Sequence, residues 1–355
     1  EKRGKLIARP EGMPKPGPYY TTLVKMDEIE GFPYTYALYF STDHARGKGG
    51  IWLYLCDGCP TEAADWVSYD QAVAAGKFDY LADKPAANPI FVDTVQGRQT
   101  ETPHANVIDG TVYMTYHNVG AGHNQSTLLA TSKDGINFER IHGDKDSVVI
   151  DYNPRTAPGD GHTGYFRWAP NPFKGVPHKY VGYSLHGGGQ DYYTAMWGSD
   201  DVVSWKKLAM FKPIEGLATE PGRILIPPQI DMNSITPIGN GEYVAITAGG
   251  TRSSGGSARI TELYEIYLAE DGRTYTRQSR KILGIGPPES RDCEELAQPT
   301  TVCEGDAVHL LYVGAARKAS VNTIMIASGK FNPLAKKPVR LSSGEGIRHF
   351  SSEEN

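Results

Sequence analysis

Three acidic side chains lie in short apolar segments bounded by turn residues, and these could carry acid–base chemistry. Glu101 lies in "TETPHANVIDG", Asp231 in "PPQIDMNSI" and Glu295 in "CEELAQPT". Two carboxyl groups, one protonated and one ionised, can donate and accept a proton at a single reacting bond. We therefore take Glu101 and Glu295 as acid/base candidates and Asp231 as a partner carboxylate that modulates their pKa. The alternative for each is a hydrogen-bonding or solvated acid without a catalytic role.

Histidines are concentrated in one part of the chain, since seven of the ten lie between residues 104 and 186. The second candidate constellation consists of His104, His117, His123, His162, Tyr165, Arg167 and His186. Histidine titrates near neutral pH, so His and Tyr can move protons while Arg neutralises a carboxylate on a ligand. His104 and Tyr165 are added to the catalytic candidates because both lie on predicted channel-lining strands. The alternative is that these side chains only bind hydroxyl groups or pack between strands.

A repeated strand pattern places these residues. A Tyr-rich strand and a loop precede a second strand that ends near an Asp-Gly or similar turn, as in "TVYMTYHN" followed by "STLLATSKDGINFERI". Five copies recur at intervals of about 60 to 75 residues, and most have a further short strand in front, so each unit has about four strands, as a propeller blade does. Helical periodicity is confined to one stretch, residues 62–76. The 40 Gly, 24 Pro and 21 Tyr agree with a strand- and turn-rich chain.

The predicted fold is therefore all-β, a single five-bladed β-propeller domain over residues 1–355. Its blades are placed at about 19–95, 96–147, 148–213, 214–283 and 284–340. A large β-sandwich and a seven-bladed propeller with shorter units are the alternatives. The first strand of each blade should line the central channel. This placement adds Trp168, Gln229, Asn233 and Gln298 to the candidate binding residues, with Trp168 as an aromatic stacking platform.

Composition excludes several classes. No run approaches the roughly 18 apolar residues of a membrane span, and no basic stripe suggests nucleic-acid binding. The net charge of −5 indicates that any acidic ligand is met locally by His and Arg. The four cysteines, Cys56, Cys59, Cys293 and Cys303, fit free thiols or two local disulfides better than a zinc site. We expect no metal and no cofactor. The opening "EKRGKLIARPEG" has no signal core, so we expect a protein secreted or periplasmic after loss of a leader, with a cytoplasmic one as the alternative.

Several segments resemble the five-bladed propeller glycoside hydrolases, the group of arabinanases, β-xylosidases, fructan hydrolases and neoagarooligosaccharide hydrolases. The resemblance rests on the Glu-x-Pro opening at Glu101, the Asp-Gly hairpins, the Tyr-rich strands and the Ser-x-Asp-Gly-x-x-aromatic turn of "TSKDGINF". It implies a carbohydrate-active enzyme. In the arabinanase group the first blade supplies an Asp as general base, whereas blade one here offers only Tyr19, Tyr20 and Thr21.

The sequence thus predicts a glycosidase that releases a terminal sugar from a plant or algal polysaccharide or oligosaccharide. One alternative is a polysaccharide lyase in which His104 and Tyr165 transfer protons on a uronate, similar to the propeller ulvan lyases. Another is a glycan-binding propeller without catalysis. The expected partner is a glycan, with no nucleic acid and no membrane, and the sequence leaves the oligomeric state open.

Overall fold

The structure is a computed structural model that describes residues 1–42, 49–95, 99–119, 125–143, 147–151, 163–186, 193–211, 214, 223–253, 259–304, 307–316 and 322–330. Neighbouring strands within each blade are antiparallel, and one parallel bridge, between Thr261 and Glu295, joins two of the blades. None of the helices in these residues is long and apolar enough to cross a membrane.

Blade one departs from the sequence prediction at its outer edge. Its strands are β2 (Tyr19–Lys25), β3 (Tyr36–Ser41), β4 (Trp52–Cys56) and β5 (Trp66–Ser68). Residues 62–76, predicted as helical, contain a short 3₁₀ turn, β5 and helix α1 (Tyr69–Ala74). The helix is short because a capping box of Ser68 and Gln71 starts it only after the strand has ended.

Blades two and three each form a sheet of their own. Blade two consists of β6 (Thr100–Ile108), β7 (Thr111–Val119), β8 (Gln125–Ser132) and two short strands on β8, β9 (Glu139–Arg140) and β10 (Val148–Ile150). Blade three consists of β11 (Arg167–Pro170), β12 (Tyr180–His186), β13 (Tyr193–Ser199) and β14 (Lys206–Phe211).

Blade five is completed by the N-terminus of the chain. Blade four consists of β15 (Arg223–Gly239), β16 (Glu242–Ser253), β17 (Arg259–Ala269) and β18 (Tyr275–Leu283). Blade five consists of β19 (Glu295–Glu304), β20 (Ala307–Ala315), β21 (Thr323–Lys330) and, at its outer edge, β1 (Lys2–Ile7). The sequence analysis assigned no strand to residues 2–7. The pairing of β1 with β21 joins residues 2–7 to residues 323–330 and closes the ring.

The first strands of the blades form a closed circle. β2 contacts β6, β6 contacts β11, β11 contacts β15, β15 contacts β19, and β19 contacts β2. Five blades arranged in this way make a five-bladed β-propeller, as predicted, and the β-sandwich and seven-bladed alternatives are wrong.

The repeated tyrosine and Asp-Gly turn hold neighbouring blades together. The Tyr39 hydroxyl in blade one donates to the carbonyl of Gly135 in blade two at 2.8 Å, and Tyr183 in blade three donates to Gly272 in blade four at 2.5 Å. Both glycines have a left-handed backbone, with φ of 75° and 69°. A Cβ on Gly135 would lie 2.5 Å from Cε of Met26, so the turn needs glycine for space as well as for conformation.

Each first strand carries a β-bulge at the same height. The register with the second strand shifts between Tyr19 and Thr22, Glu101 and His104, Ile226 and Gln229, and Ala297 and Thr300. In blade three the same shift separates the Leu185–Gly164 hydrogen bond from the Arg167–Tyr183 pair. Four non-glycine residues have positive φ at these bulges: Tyr20, Thr102, Tyr165 and Gln298. Bulges redirect side chains, and they occur often next to functional sites.

Candidate functional site

The candidate site lies at the end of the channel where the first strands begin and the second strands end. We call this end the mouth and define it by Tyr19, Tyr20, Glu101, His117, Tyr165 and Glu295. These residues come from the start of β2, β6 and β19, the end of β7 and the segment just before β11. All but Tyr165 are at least nine-tenths buried.

Glu101 and His117 form a buried pair in blade two. They lie opposite each other in β6 and β7, and both side chains are fully buried. The Glu101 carboxylate accepts a hydrogen bond from the side-chain amide of Gln99, and its Oε2 lies 3.6 Å from Nε2 of His117. The hydroxyl of Thr102 lies 2.6 Å from the other ring nitrogen, Nδ1, of His117. The carboxylate and the imidazole are thus held in fixed orientations at the mouth.

Blade one supplies tyrosines, and no carboxylate, to the mouth. The Tyr19 hydroxyl donates to Oε1 of Glu295 in blade five at 2.6 Å. The Tyr20 hydroxyl lies 3.0 Å from that of Tyr165 in blade three, and the ring of Tyr165 lies 5.6 Å from that of His117. An arc of polar and aromatic groups therefore runs from Glu295 through the tyrosines to Glu101.

Arg167 closes the channel below the mouth. Its guanidinium donates to the carbonyls of Pro299 at 2.7 Å and Thr21 at 3.2 Å, and to Oε1 of Gln298 at 2.7 Å. The side chain is 6% exposed, and burial lowers its pKa to about 10, against the opposing effect of Asp231. Arg167 thus joins blades three, one and five.

Asp231 lies beyond Arg167, on the side away from the mouth. Its carboxyl group accepts hydrogen bonds from the hydroxyl of Thr301 and from the backbone N–H of Asn233, the latter at 3.2 Å. Burial raises the pKa of Asp231 to about 6, although Thr301 and the charge of Arg167 act in the opposite direction. The Asn233 side chain is exposed. Gln229 Oε1 accepts from the backbone N–H of Gln298 at 3.2 Å, which joins blades four and five.

His104 and Trp168 lie in the packing between blades. Nε2 of His104 lies 2.7 Å from the carbonyl of Trp168, which can only accept, so Nε2 carries the proton. Burial, followed by the charge of Arg167, lowers the pKa of His104 to about 3, and the ring is neutral at physiological pH. Trp168 is fully buried against Tyr180 and Trp205 and has no face open to a sugar ring.

His186 ends the second strand of blade three, on the same side of the propeller as His117. It is 3% exposed, and burial lowers its pKa to about 4. Neither ring nitrogen has a hydrogen-bond partner among the described residues. The candidates His123 and His162 lie outside the described residues.

Two residues that contact the mouth were not singled out in the sequence analysis: Gln99, whose amide binds Glu101, and Thr102, whose hydroxyl contacts His117. The sequence analysis named Tyr19 and Tyr20 only because blade one has no carboxylate on its first strand. Across the described part of the chain, no three His, Cys, Asp or Glu side chains are grouped as they would be around a metal ion. All four cysteines are free thiols.

No known family profile matches the sequence, and neither does any curated protein. Solved structures do match over nearly the whole chain. One described as "Glycoside hydrolase" has 14% identity, a TM-score of 0.60, and coverage of 98% of this chain and 96% of its own. An exo-1,5-α-L-arabinanase from a bovine ruminal metagenomic library has 10% identity, a TM-score of 0.56, and coverage of 91% and 96%. An N-acetylgalactosamine deacetylase from F. plautii, in complex with blood group B trisaccharide, has 12% identity, a TM-score of 0.59, and coverage of 94% and 95%. The fold is thus that of propeller glycoside hydrolases, as the sequence resemblance implied, and at these identities the likeness shows the fold alone.

Proposed function

We propose that this protein is a glycoside hydrolase that removes a terminal sugar from a plant or algal glycan at the channel mouth. One observation carries the proposal: Glu101 and Glu295 are two buried carboxylic residues on β6 and β19, the strands that flank β2 of blade one. Two carboxyl groups on either side of a glycosidic bond are the usual requirement for its hydrolysis.

The hydrogen-bond partners support separate roles for the two acids. Tyr19 donates to Glu295, while Glu101 has Gln99 and His117 beside it. In the proposed reaction one carboxyl group protonates the leaving glycosidic oxygen, and the other activates water or attacks the anomeric carbon. His117 and Tyr165 bind and orient the sugar ring. Either carboxyl group can take either of these two roles.

The position of Arg167 supports hydrolysis at a chain end. Arg167 bridges three blades directly below the mouth, so we propose that a glycan entering the mouth is stopped there and does not pass through the channel. A pocket closed at one end accepts the terminus of a chain more readily than its middle. Asp231 contributes by its charge on Arg167, and Arg167 in turn positions Gln298 at the bulge of blade five.

The lyase alternative receives less support from the same contacts. His104, its proposed proton carrier, is deeply buried, with Nε2 bonded to the Trp168 carbonyl. Arg167, its proposed partner for a uronate, has its guanidinium occupied by two carbonyls and Gln298. We therefore assign His104, Arg167 and Trp168 positioning roles.

The test is a product assay on arabinan, xylan, mannan, fructan, agar and ulvan oligosaccharides. The proposal expects new reducing ends without ultraviolet absorbance and without release of acetate. Unsaturated uronate products would establish the lyase instead, and acetate from acetylated sugars would establish a deacetylase. Binding without any product would leave a recognition module. Glu101→Gln should abolish release of reducing ends, whereas Glu30→Gln, at an exposed acid, should leave it unchanged.

A further inference from the structure

A groove outside the channel lies between the N-terminal segment and the outer part of blade one. Its volume is about 690 Å³, within the roughly 300–1,000 Å³ typical of ligand pockets. Its lining includes Glu11, Trp52, Tyr54, Ser68, Asp70 and Asn88. These residues come from the third strand of the blade or from segments farther from the axis. The groove is therefore separate from the mouth.

The polar wall of the groove is held in place by its own hydrogen bonds. Asp70 accepts from the backbone N–H of Asn88 at 3.1 Å and from its side-chain amide at 2.8 Å. Asn88 in turn accepts from the N–H of Leu53 at 2.8 Å and donates to the Leu53 carbonyl at 3.2 Å. Since a carboxylate can accept about four hydrogen bonds, Asp70 keeps acceptor capacity for a ligand.

Aromatic rings supply the other wall. Tyr54 is half-buried and stacks on Phe40, with ring centroids 5.7 Å apart. Burial and the nearby Asp70 carboxylate raise the pKa of Tyr54, so its hydroxyl remains a neutral donor. Trp52 is 5% exposed, so it offers only an edge of its ring to the groove. Gly12 lies beside that edge, since a Cβ built there would be 4.0 Å from Cη2, and it adds no side chain over it. The rings therefore form part of the groove wall beside a hydrogen-bond donor and an acceptor.

The charge of the lining limits the ligand class. The lining includes the carboxylates of Glu11 and Asp70 and contains neither Lys nor Arg. Anionic glycans would meet repulsion here, whereas the hydroxyl pairs of a neutral sugar suit carboxylate and amide oxygens. Apolar sugar faces also suit aromatic rings with a polar tip.

We propose that this groove is a second glycan-binding site, which takes a short neutral oligosaccharide of the kind whose chain ends are proposed to react at the mouth. The link to a chain end rests on the proposed function. Binding in the groove itself requires no turnover, so the two proposals fail separately.

The experiment labels the protein with 5-fluorotryptophan and follows the fluorine resonance of Trp52, one of five tryptophans, assigned with Trp52→Phe. Neutral xylotriose, arabinotriose and mannotriose are titrated into the Glu101→Gln protein. At least one should shift the Trp52 resonance saturably. Tyr54→Phe and Asp70→Asn should each weaken that binding about fivefold or more, as loss of one hydrogen bond implies. Tyr80→Phe, at an exposed tyrosine outside the groove, is the matched control and should not change it.

Three outcomes would overturn the proposal. The first is that the Trp52 resonance does not shift with any of the three trisaccharides. The second is that it shifts with unchanged affinity in both Tyr54→Phe and Asp70→Asn. It could also respond to trigalacturonate or spermidine in place of neutral sugars, which would assign the groove to a charged ligand. If no glycan is hydrolysed by the wild-type protein but the Trp52 resonance still shifts, the groove proposal stands and the proposed function fails.

Discussion

The hydroxyl of Tyr20 lies 3.0 Å from the hydroxyl of Tyr165, joining blades one and three at the mouth. Both residues have positive φ, at 56° and 57°, and both lie at the bulge of their strand. A non-glycine residue in this conformation costs free energy, and such strain is concentrated at functional sites. The bulges therefore bring two tyrosines from non-adjacent blades together beside Glu101 and His117.

Tyr165→Phe should lower kcat/KM about a hundredfold, because the hydroxyl of the half-buried Tyr165 is placed to contact the sugar and is held by Tyr20. Tyr20→Phe should lower it less, since Tyr20 is nearly buried and acts through Tyr165. Steady-state kinetics on a cleaved oligosaccharide measure both effects. Equal kinetics in Tyr165→Phe and the exposed Tyr80→Phe would argue against a role for the pair.

Asp231→Asn should change how stability depends on pH. Folding raises the pKa of Asp231 from 3.8 to about 6, so the folded state holds a proton that the unfolded state has released. Stability is therefore lost as pH rises from about 4 to about 6, by an amount on the order of 3 kcal/mol. An asparagine side chain does not titrate in this range, so the variant does not lose this stability as the pH rises.

Urea unfolding at about pH 4 and about pH 7.5 measures the effect as the difference between variant and wild type. The variant should gain relative to wild type at the higher pH. The buried histidines also make the free energy of unfolding depend on pH, but their contribution cancels in this difference because both proteins contain them. A difference independent of pH would show that folding does not raise the pKa of Asp231.

Lys2→Met should weaken ring closure. Lys2 Nζ lies 2.6 Å from Oδ2 of Asp292, a buried acid that also accepts from Tyr312 at 2.9 Å. These contacts lower the pKa of Asp292 despite its burial, so their contribution is lost on acidification below its ordinary value of 3.8. We expect a loss of about 1–2 kcal/mol at neutral pH.

Lys5→Met is the matched control, because Lys5 lies on the same strand and is exposed. Denaturant unfolding compares the two variants. Equal stability at neutral pH would show that the Lys2–Asp292 contact does not help to close the ring.

Gly135→Ala should destabilise the junction of blades one and two by about 2–4 kcal/mol, from the left-handed backbone and the contact with Met26. Gly143 also has positive φ, at 57°, but a Cβ there meets nothing within 4 Å. Gly143→Ala should therefore cost only the backbone term, about 1–2 kcal/mol. Thermal unfolding measures both, and equal shifts would contradict the steric role of Gly135.

The repeat was readable from the sequence because its parts have local causes. Asp134 accepts from the backbone N–H groups of Ile136 and Asn137, and Gly135 receives the tyrosine of the preceding blade. Such turns need particular residue types at fixed spacing. Strand β1 has no comparable signal, because its partner β21 lies more than 300 residues away along the chain.

The site was predicted less well, for a geometric reason. The sequence places Glu101 and His104 on the same strand, but the bulge between them leaves Glu101 at the mouth and turns His104 toward the carbonyl of Trp168. Bulges with Thr or Tyr at the positive-φ position have no distinctive sequence pattern. The contact between Tyr20 and Tyr165 depends on ring closure and could not be inferred from spacing.

The most direct test of the central claim measures kcat/KM against pH for wild type, Glu101→Gln, Glu295→Gln and Glu30→Gln on one cleaved oligosaccharide. Two catalytic carboxyl groups predict a bell-shaped profile for wild type and for Glu30→Gln. Each mouth variant should lose about a thousandfold in kcat while its unfolding midpoint remains near that of wild type. Near-wild-type kcat in both Glu101→Gln and Glu295→Gln would contradict the account.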